Sequence, residues 1–115
     1  MNPTTAVLEE RMAALDGGAA GLAVSSGQTA SAYSIQNLAR AGDNIVASSH
    51  LYGGTYNQFK NNLSEMGIEV RFVDPTDPLM FIKASDTKTR AFFGETLPNP
   101  KLQVFPIKEV ADLGR

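Results

Sequence analysis

The sequence predicts an α/β domain built on a mainly parallel sheet with right-handed crossovers. Short apolar runs bounded by Gly, Ser and Asp alternate at regular spacing with stripes of helical period. No internal repeat or low-complexity linker interrupts that alternation. The 115 residues, 43% hydrophobic and 19% charged, have an ordinary globular composition and suffice for one domain at most.

The elements follow in order. Asn2-Pro3-Thr4 is a helix start with Pro in the first turn, and Leu8, Met12 and Leu15 then recur at i, i+4, i+7 until Gly17-Gly18. Ala20 to Val24 is apolar and too short for a helix, which predicts a buried strand. A second helix starts at Gly27 or Gln28, places Ala32, Ile35, Leu38 and Ala39 on one side, and stops at Ala41-Gly42-Asp43. Asn44 to Ser48 reads as a second buried strand. Tyr56, Phe59, Leu63 and Met66 form a third helical stripe closed by Gly67. In Ile68 to Val73, Glu69 and Arg71 alternate with apolar residues, so one face of that strand is expected to be partly solvated. Asp77-Pro78 caps a short helix through Phe81 and Ala84. A fourth strand is expected from Arg90 to Glu95, then a loop marked by Pro98, Pro100 and Pro106 with an extended piece at Gln103 to Phe105. A last helix covers Ile107 to Arg115.

Composition narrows the function classes. Ten Lys and Arg are scattered against twelve Asp and Glu, a net charge of -2, so neither a nucleic-acid partner nor an anionic membrane surface is expected. The absence of Cys excludes disulfides and thiolate metal sites, and no signal core follows the N-terminus, so cytoplasmic residence is expected. The uncharged stretch from Gly17 to Ala39 carries too many Ser, Thr, Gln and Asn residues to span a bilayer.

In parallel sheets, ligands sit beyond the carboxyl ends of the strands. Four segments are expected there: Ser25 to Thr29, Ser48 to Thr55, Asp74-Pro75-Thr76, and Glu95 to Pro100. Ser25-Ser26-Gly27-Gln28 has the composition of an anion cradle at a helix N-terminus, and equally of an ordinary Ser/Gly turn. Tyr52, followed by two glycines, is either an aromatic plate over a planar ligand or a packed Tyr with a wet hydroxyl. Glu95 and Asn99 either hold a polar ligand or form a capped turn. His50 is the only histidine; an exposed or core-edge place is expected for it, with no metal site and no catalytic triad.

The combination is more specific than its parts. Asn2-Pro3-Thr4, Leu15-Asp16-Gly17-Gly18, Ser25-Ser26-Gly27-Gln28, Gly42-Asp43, Leu51-Tyr52-Gly53-Gly54-Thr55-Tyr56 and Glu95-Thr96-Leu97-Pro98-Asn99-Pro100 resemble the Cys/Met-metabolism family of pyridoxal-phosphate enzymes. The resemblance covers essentially the whole chain, as the first half of the family's large domain. Among the family's cystathionine γ-synthases, methionine γ-lyases and O-acetylhomoserine sulfhydrylases, the Ser25-Ser26-Gly27-Gln28 and Leu51-Tyr52-Gly53-Gly54-Thr55-Tyr56 forms are most similar to the last.

The resemblance implies a three-layer α/β/α fold of the aspartate-aminotransferase type (fold type I), with pyridoxal 5'-phosphate as cofactor. It implies that Ser26, Gly27 and Gln28 hold the cofactor phosphate, and that Tyr52 stacks on the pyridine ring and assists proton movement. Glu95 and Asn99 match a strand-end pair near the ring, Asn99 close to its phenolic oxygen. It further implies a small amino-acid substrate and a homotetrameric parent, or a complementary chain as partner. The parent reaction would be γ-replacement of O-acetyl-L-homoserine by sulfide or a thiol, with acetate leaving. The family's Schiff-base lysine and ring-nitrogen aspartate match positions beyond Arg115, and its Tyr-x-Arg arm matches positions before Asn2. On that reading residues 1–115 are a partial cofactor domain, inactive alone.

Two other readings stand beside it: a noncatalytic binding or assembly module that keeps only the phosphate cradle, and a generic nucleotide-binding domain, which lacks a G-x-G-x-x-G or Walker run. In the family fold the Ala20 to Val24 strand is parted from the other three by strands that the chain does not supply. It is therefore expected either to move beside the Arg90 strand or to leave open edges that drive self-association.

Overall fold

Asn44–Ser48 (β1) is buried at every position, as a strand must be when it is covered on both faces and paired on both edges. The computed structural model, which describes residues 2–98 and 103–115, places it at the centre of a three-stranded parallel sheet. Glu69–Val73 (β2) lies on one side and Thr89–Phe93 (β3) on the other, in the order β2-β1-β3. The chain divides into two compact units, one ending at Ala30 and one spanning Ser31–Arg115, and the sheet belongs to the second.

In the first unit, Pro3–Asp16 forms helix α1. The Asn2 side chain accepts the N-H groups of Thr4 and Thr5 at 2.9 and 3.4 Å, satisfying donors that the helix itself leaves open. Gly17 closes the other end at φ 69°, a conformation in which a side chain is strained. Leu8, Met12 and Leu15 lie on α1 as the spacing predicts, yet no residue of α1 is buried. Its caps are local and form regardless; a unit this short supplies no apolar layer to cover the stripe.

The strand expected at Ala20 to Val24 is not formed. Among the described residues it joins no sheet, and Leu22 is 77% exposed. The segment instead folds back on α1, where the Ala23 N-H donates to the Glu9 carboxylate at 2.7 Å. Gly21 passes so close that a Cβ there would stand 2.6 Å from the Glu9 carbonyl oxygen. An extended segment without a neighbouring strand has to satisfy its backbone locally, and this one does so in part through a carboxylate.

Helix α2, Gly27–Leu38, starts in the first unit and ends in the second. Ile35 and Ala39 are buried as expected, but Leu38 is exposed, since it sits on the flank of the stripe they define. Gly53–Asn57 (α3) runs into a π turn at Gln58–Asn62 and then Leu63–Glu65 (α4). The Leu63 N-H reaches back five residues to the Gln58 carbonyl, so the turn is wider than an α-turn. Phe59 and Leu63 remain buried; Met66, expected on the same stripe, falls in the turn after α4 and is exposed.

Two further helices, Leu79–Lys83 (α5) and Ile107–Leu113 (α6), complete the second unit. α5 starts one residue later than predicted, with Pro78 at its cap position, and the Asp77 side chain accepts the Leu79 N-H at 3.2 Å. The fourth expected strand is β3, displaced toward the N-terminus so that Gly94 and Glu95 lie outside it. Gln103 to Phe105 forms no strand. The strand pattern sorts the core into two layers. Ile45 and Ala47 face Ile35, Ala39, Phe59 and Leu63, whereas Val46 faces Phe81 and Val110. Helices thus cover both faces of the sheet, the three-layer arrangement that the sequence predicts. No helix among the described residues is long and apolar enough to cross a membrane.

A polar network ties the N-terminal ends of the strands together. Asn44, buried, donates to Asp86 at 2.9 Å and accepts the Thr89 hydroxyl at 2.6 Å. Asp86 also accepts the Lys88 N-H at 2.8 Å and pairs with Arg71 at 2.9 Å. Arg71 reaches Glu69 at 2.6 Å and the Ala84 carbonyl at 2.7 Å. The bonds from Asn44, the Lys88 main chain and Arg71 hold the Asp86 carboxyl down to about 2, from an ordinary value of 3.8.

Because the folded chain holds that carboxyl below its unfolded value, its contribution to stability is complete above about pH 4 and is lost as pH falls through about 2. Urea midpoints measured between these limits should fall with acid in the wild-type chain, and Asp86→Asn should flatten that dependence. On the opposite face, a Cβ at Gly94 would overlap the Phe105 ring, which packs against Phe81. Gly94→Ala is expected to cost about 1 to 3 kcal/mol in chemical denaturation.

Candidate functional site

The residues singled out in the sequence fall into two groups that belong to different units: a turn before α2 in the first, and the segments that follow β1 and β3 in the second. In the first unit, a turn built from small hydroxyl residues leads into α2. The Ser26 hydroxyl accepts the Thr29 N-H at 3.1 Å, and its carbonyl accepts the Ala30 N-H at 3.0 Å, so Ser26 caps the helix. Thr29 Oγ1 lies 2.9 Å from Ser26 Oγ and 3.4 Å from Ser25 Oγ. Three hydroxyl groups therefore gather at one helix end, where the backbone dipole favours a negative charge. A Cβ at Gly27 would meet nothing within 4 Å, so the backbone there is open to a ligand's approach. The arrangement suits an anion, and a phosphate in particular. Thr29 lies inside the expected segment Ser25 to Thr29, but the sequence assigns it no role of its own.

In the second unit, the chain leaving β1 continues its pairing for one residue, through the Ser49 N-H on the Val73 carbonyl at 2.8 Å. It then turns, with the His50 N-H on the Ser48 hydroxyl at 3.0 Å. Leu51 anchors the turn in the core. Tyr52 follows, 51% exposed, and opens α3. Its N-H donates to both carboxylate oxygens of Glu95, at 3.3 and 3.2 Å, so the structure brings these two predicted residues together. That link joins positions 43 apart and has no local signal in the sequence.

His50 takes the core-edge place expected of it. It is half-buried, and its Nδ1 is shielded from solvent without a hydrogen-bond partner among the described residues. The Asp74-Pro75-Thr76 segment closes on itself, Asp74 accepting the Thr76 N-H at 2.9 Å and hydroxyl at 2.7 Å. Asn99 lies outside the described residues.

Comparison with known proteins places these local features. The profile of the Cys/Met metabolism PLP-dependent enzymes matches residues 1–115, the whole chain. The chain belongs to that family. As a Cys/Met metabolism PLP-dependent chain it is 54% identical over 115 residues to the O-acetyl-L-homoserine sulfhydrylase of Leptospira meyeri, covering 26% of that protein. It is 59% identical over 103 residues to the homocysteine/cysteine synthase of Saccharomyces cerevisiae, covering 90% of this chain and 23% of the yeast protein. It thus spans about a quarter of the length of these relatives.

Among solved structures, an O-acetylhomoserine (thiol)-lyase of Campylobacter jejuni, which carries a pyridoxyl-lysine phosphate, superposes with a TM-score of 0.93 at 39% identity. The match covers 97% of this chain and 28% of that one. The O-acetylhomoserine sulfhydrylase of Wolinella succinogenes superposes at 0.90 with 42% identity, over 97% of this chain and 33% of that one.

An imidazole nitrogen buried without a partner is a cost that an apolar side chain avoids. His50→Leu should therefore leave stability unchanged or raise it by up to about 1 to 3 kcal/mol. A clear fall in the thermal midpoint would mean that the ring has a bond partner in solution.

Proposed function

We propose that this chain is part of the cofactor-binding large domain of a pyridoxal-phosphate enzyme whose reaction is γ-replacement on O-acetyl-L-homoserine. Sulfide or a thiol adds at the γ carbon, acetate leaves, and homocysteine or methionine results. The reading rests on one observation above the others: the chain is 54% identical over 115 residues to an O-acetyl-L-homoserine sulfhydrylase and 59% identical over 103 residues to a homocysteine/cysteine synthase. A homo-oligomeric assembly acting in the cytoplasm is the setting that goes with this reading.

Each unit has a feature that suits one part of the cofactor. The open Gly27 backbone and the gathered hydroxyl groups suit a phosphate, and a half-exposed tyrosine at a strand end suits an aromatic ring. Pyridoxal phosphate, when bound, supplies the electron sink that stabilises carbanions on an amino acid. The N-H groups of Gly27 and Gln28 and the Ser26 hydroxyl hold the phosphate at the positive end of α2. The Tyr52 ring would pack on the cofactor's aromatic ring and exclude water from it, and the Tyr52 phenolic oxygen would hold and pass on a proton. Glu95 supports Tyr52 through its main chain, and Asn99 would be a further cofactor contact by the family resemblance.

Two measurements test this. Pyridoxal 5'-phosphate titrated into the labelled 115-residue chain should move the amide signals of Gly27, Gln28 and Tyr52 together, and inorganic phosphate should move the first two alone. Signals that stay still in both titrations would overturn the binding assignment. The native gene's product, supplied with O-acetyl-L-homoserine and sulfide, should release acetate and homocysteine; release from the O-succinyl ester instead would point to the related cystathionine γ-synthase chemistry.

A further inference from the structure

The link between Tyr52 and Glu95 runs to the main chain of the tyrosine. Both carboxylate oxygens lie within 3.3 Å of the Tyr52 N-H. The Tyr52 carbonyl is engaged as well, accepting the Tyr56 N-H at 2.9 Å. On the N-terminal side Leu51 is sunk in the core, while on the other side a Cβ at Gly53 would meet nothing within 4 Å. Tyr52 is thus fixed through its backbone, and its ring is the part left free. The carboxylate that fixes it stands just past β3, the strand that neighbours β1.

We propose that Glu95 is a positioning residue, one that aims the Tyr52 ring by clamping the Tyr52 main chain and acts on a planar aromatic ligand only through it. The proposal rests on the function proposed above for its ligand, but the clamp itself is a property of the chain alone. A carboxylate suits the task because a hydrogen bond to an ionised acceptor is roughly twice as strong as a neutral one, and its two oxygens share the donor here. Gln at this position keeps the reach without the charge. Asp keeps the charge and loses a methylene of reach. The clamp also joins the turn after β1 to the turn after β3, so the ring's aim is set by the spacing of two adjacent strands, which packing holds constant.

Amide hydrogen exchange and binding, both on the 115-residue chain, test the proposal. Glu95→Ala should speed exchange at Tyr52 by about tenfold or more, with Glu95→Gln in between and Glu95→Asp close to Ala. Unchanged exchange at Tyr52 in a folded Glu95→Ala chain overturns the clamp; should that variant fail to fold, Glu95→Gln carries the same comparison. For the ligand, pyridoxal 5'-phosphate affinity is compared in wild type, Glu95→Ala, Tyr52→Ala and the double variant. Action through Tyr52 predicts that Glu95→Ala weakens binding in the wild-type background and has no further effect once Tyr52 is gone. An equal loss in both backgrounds would make Glu95 a direct ligand contact and overturn the positioning role. A wild-type chain that does not bind pyridoxal 5'-phosphate counts against the proposed function, while the exchange comparison still decides the clamp.

Discussion

The second unit depends on β1 being covered on both faces and paired on both edges. Five consecutive buried residues leave no backbone group that water could satisfy, so each N-H and C=O has to find a strand. β2 and β3 meet that requirement, and their side chains then divide the core into the layer of Phe59 and Leu63 and the layer of Phe81 and Val110. Aromatic rings pack closely on both sides: Phe59 meets Phe93 edge-on at 4.7 Å, and Phe81 meets Phe92 at 5.3 Å.

The two ends of the sheet are built differently, and the difference bears on function. At the amino ends, Asn44, Arg71, Asp86 and Thr89 consume one another's hydrogen-bonding capacity. At the carboxyl ends, one local bond and the long-range Tyr52–Glu95 bond shape the turns and leave a tyrosine ring half in solvent. A rigid, self-satisfied end beneath an open one is what a ligand-binding face on a parallel sheet requires.

How much of this was legible in the sequence varies by residue. Asn44 to Ser48 was readable from its short apolar run Ile45-Val46-Ala47, and α1 because Asn2 and Gly17 punctuate it. Ala20 to Val24 carries the same kind of apolar signal as β1 and fails as a strand, since periodicity says nothing of whether a neighbour exists to pair with. The π turn was invisible for a related reason: the stripe of Phe59 and Leu63 is compatible with either winding. In the candidate site, Ser25 to Gln28 and Tyr52 were marked by local chemistry, each beside an ordinary turn or packing reading. The Asn44–Asp86 bond and the clamp on Tyr52 were not, because they join residues 42 and 43 positions apart. Family resemblance did bring Glu95 into view, though as a neighbour of the cofactor ring and without its bond to Tyr52.

The widened turn at Gln58–Asn62 has a consequence for how this chain tolerates changes of length. A five-residue loop of hydrogen bonding where four is the rule means that the helical run between Gly53 and Glu65 holds one residue more than its axial path needs. That surplus is slack. Lineages that gain or lose a single residue here could absorb it by switching between π and α winding, without moving Tyr52 at one end or Gly67 at the other.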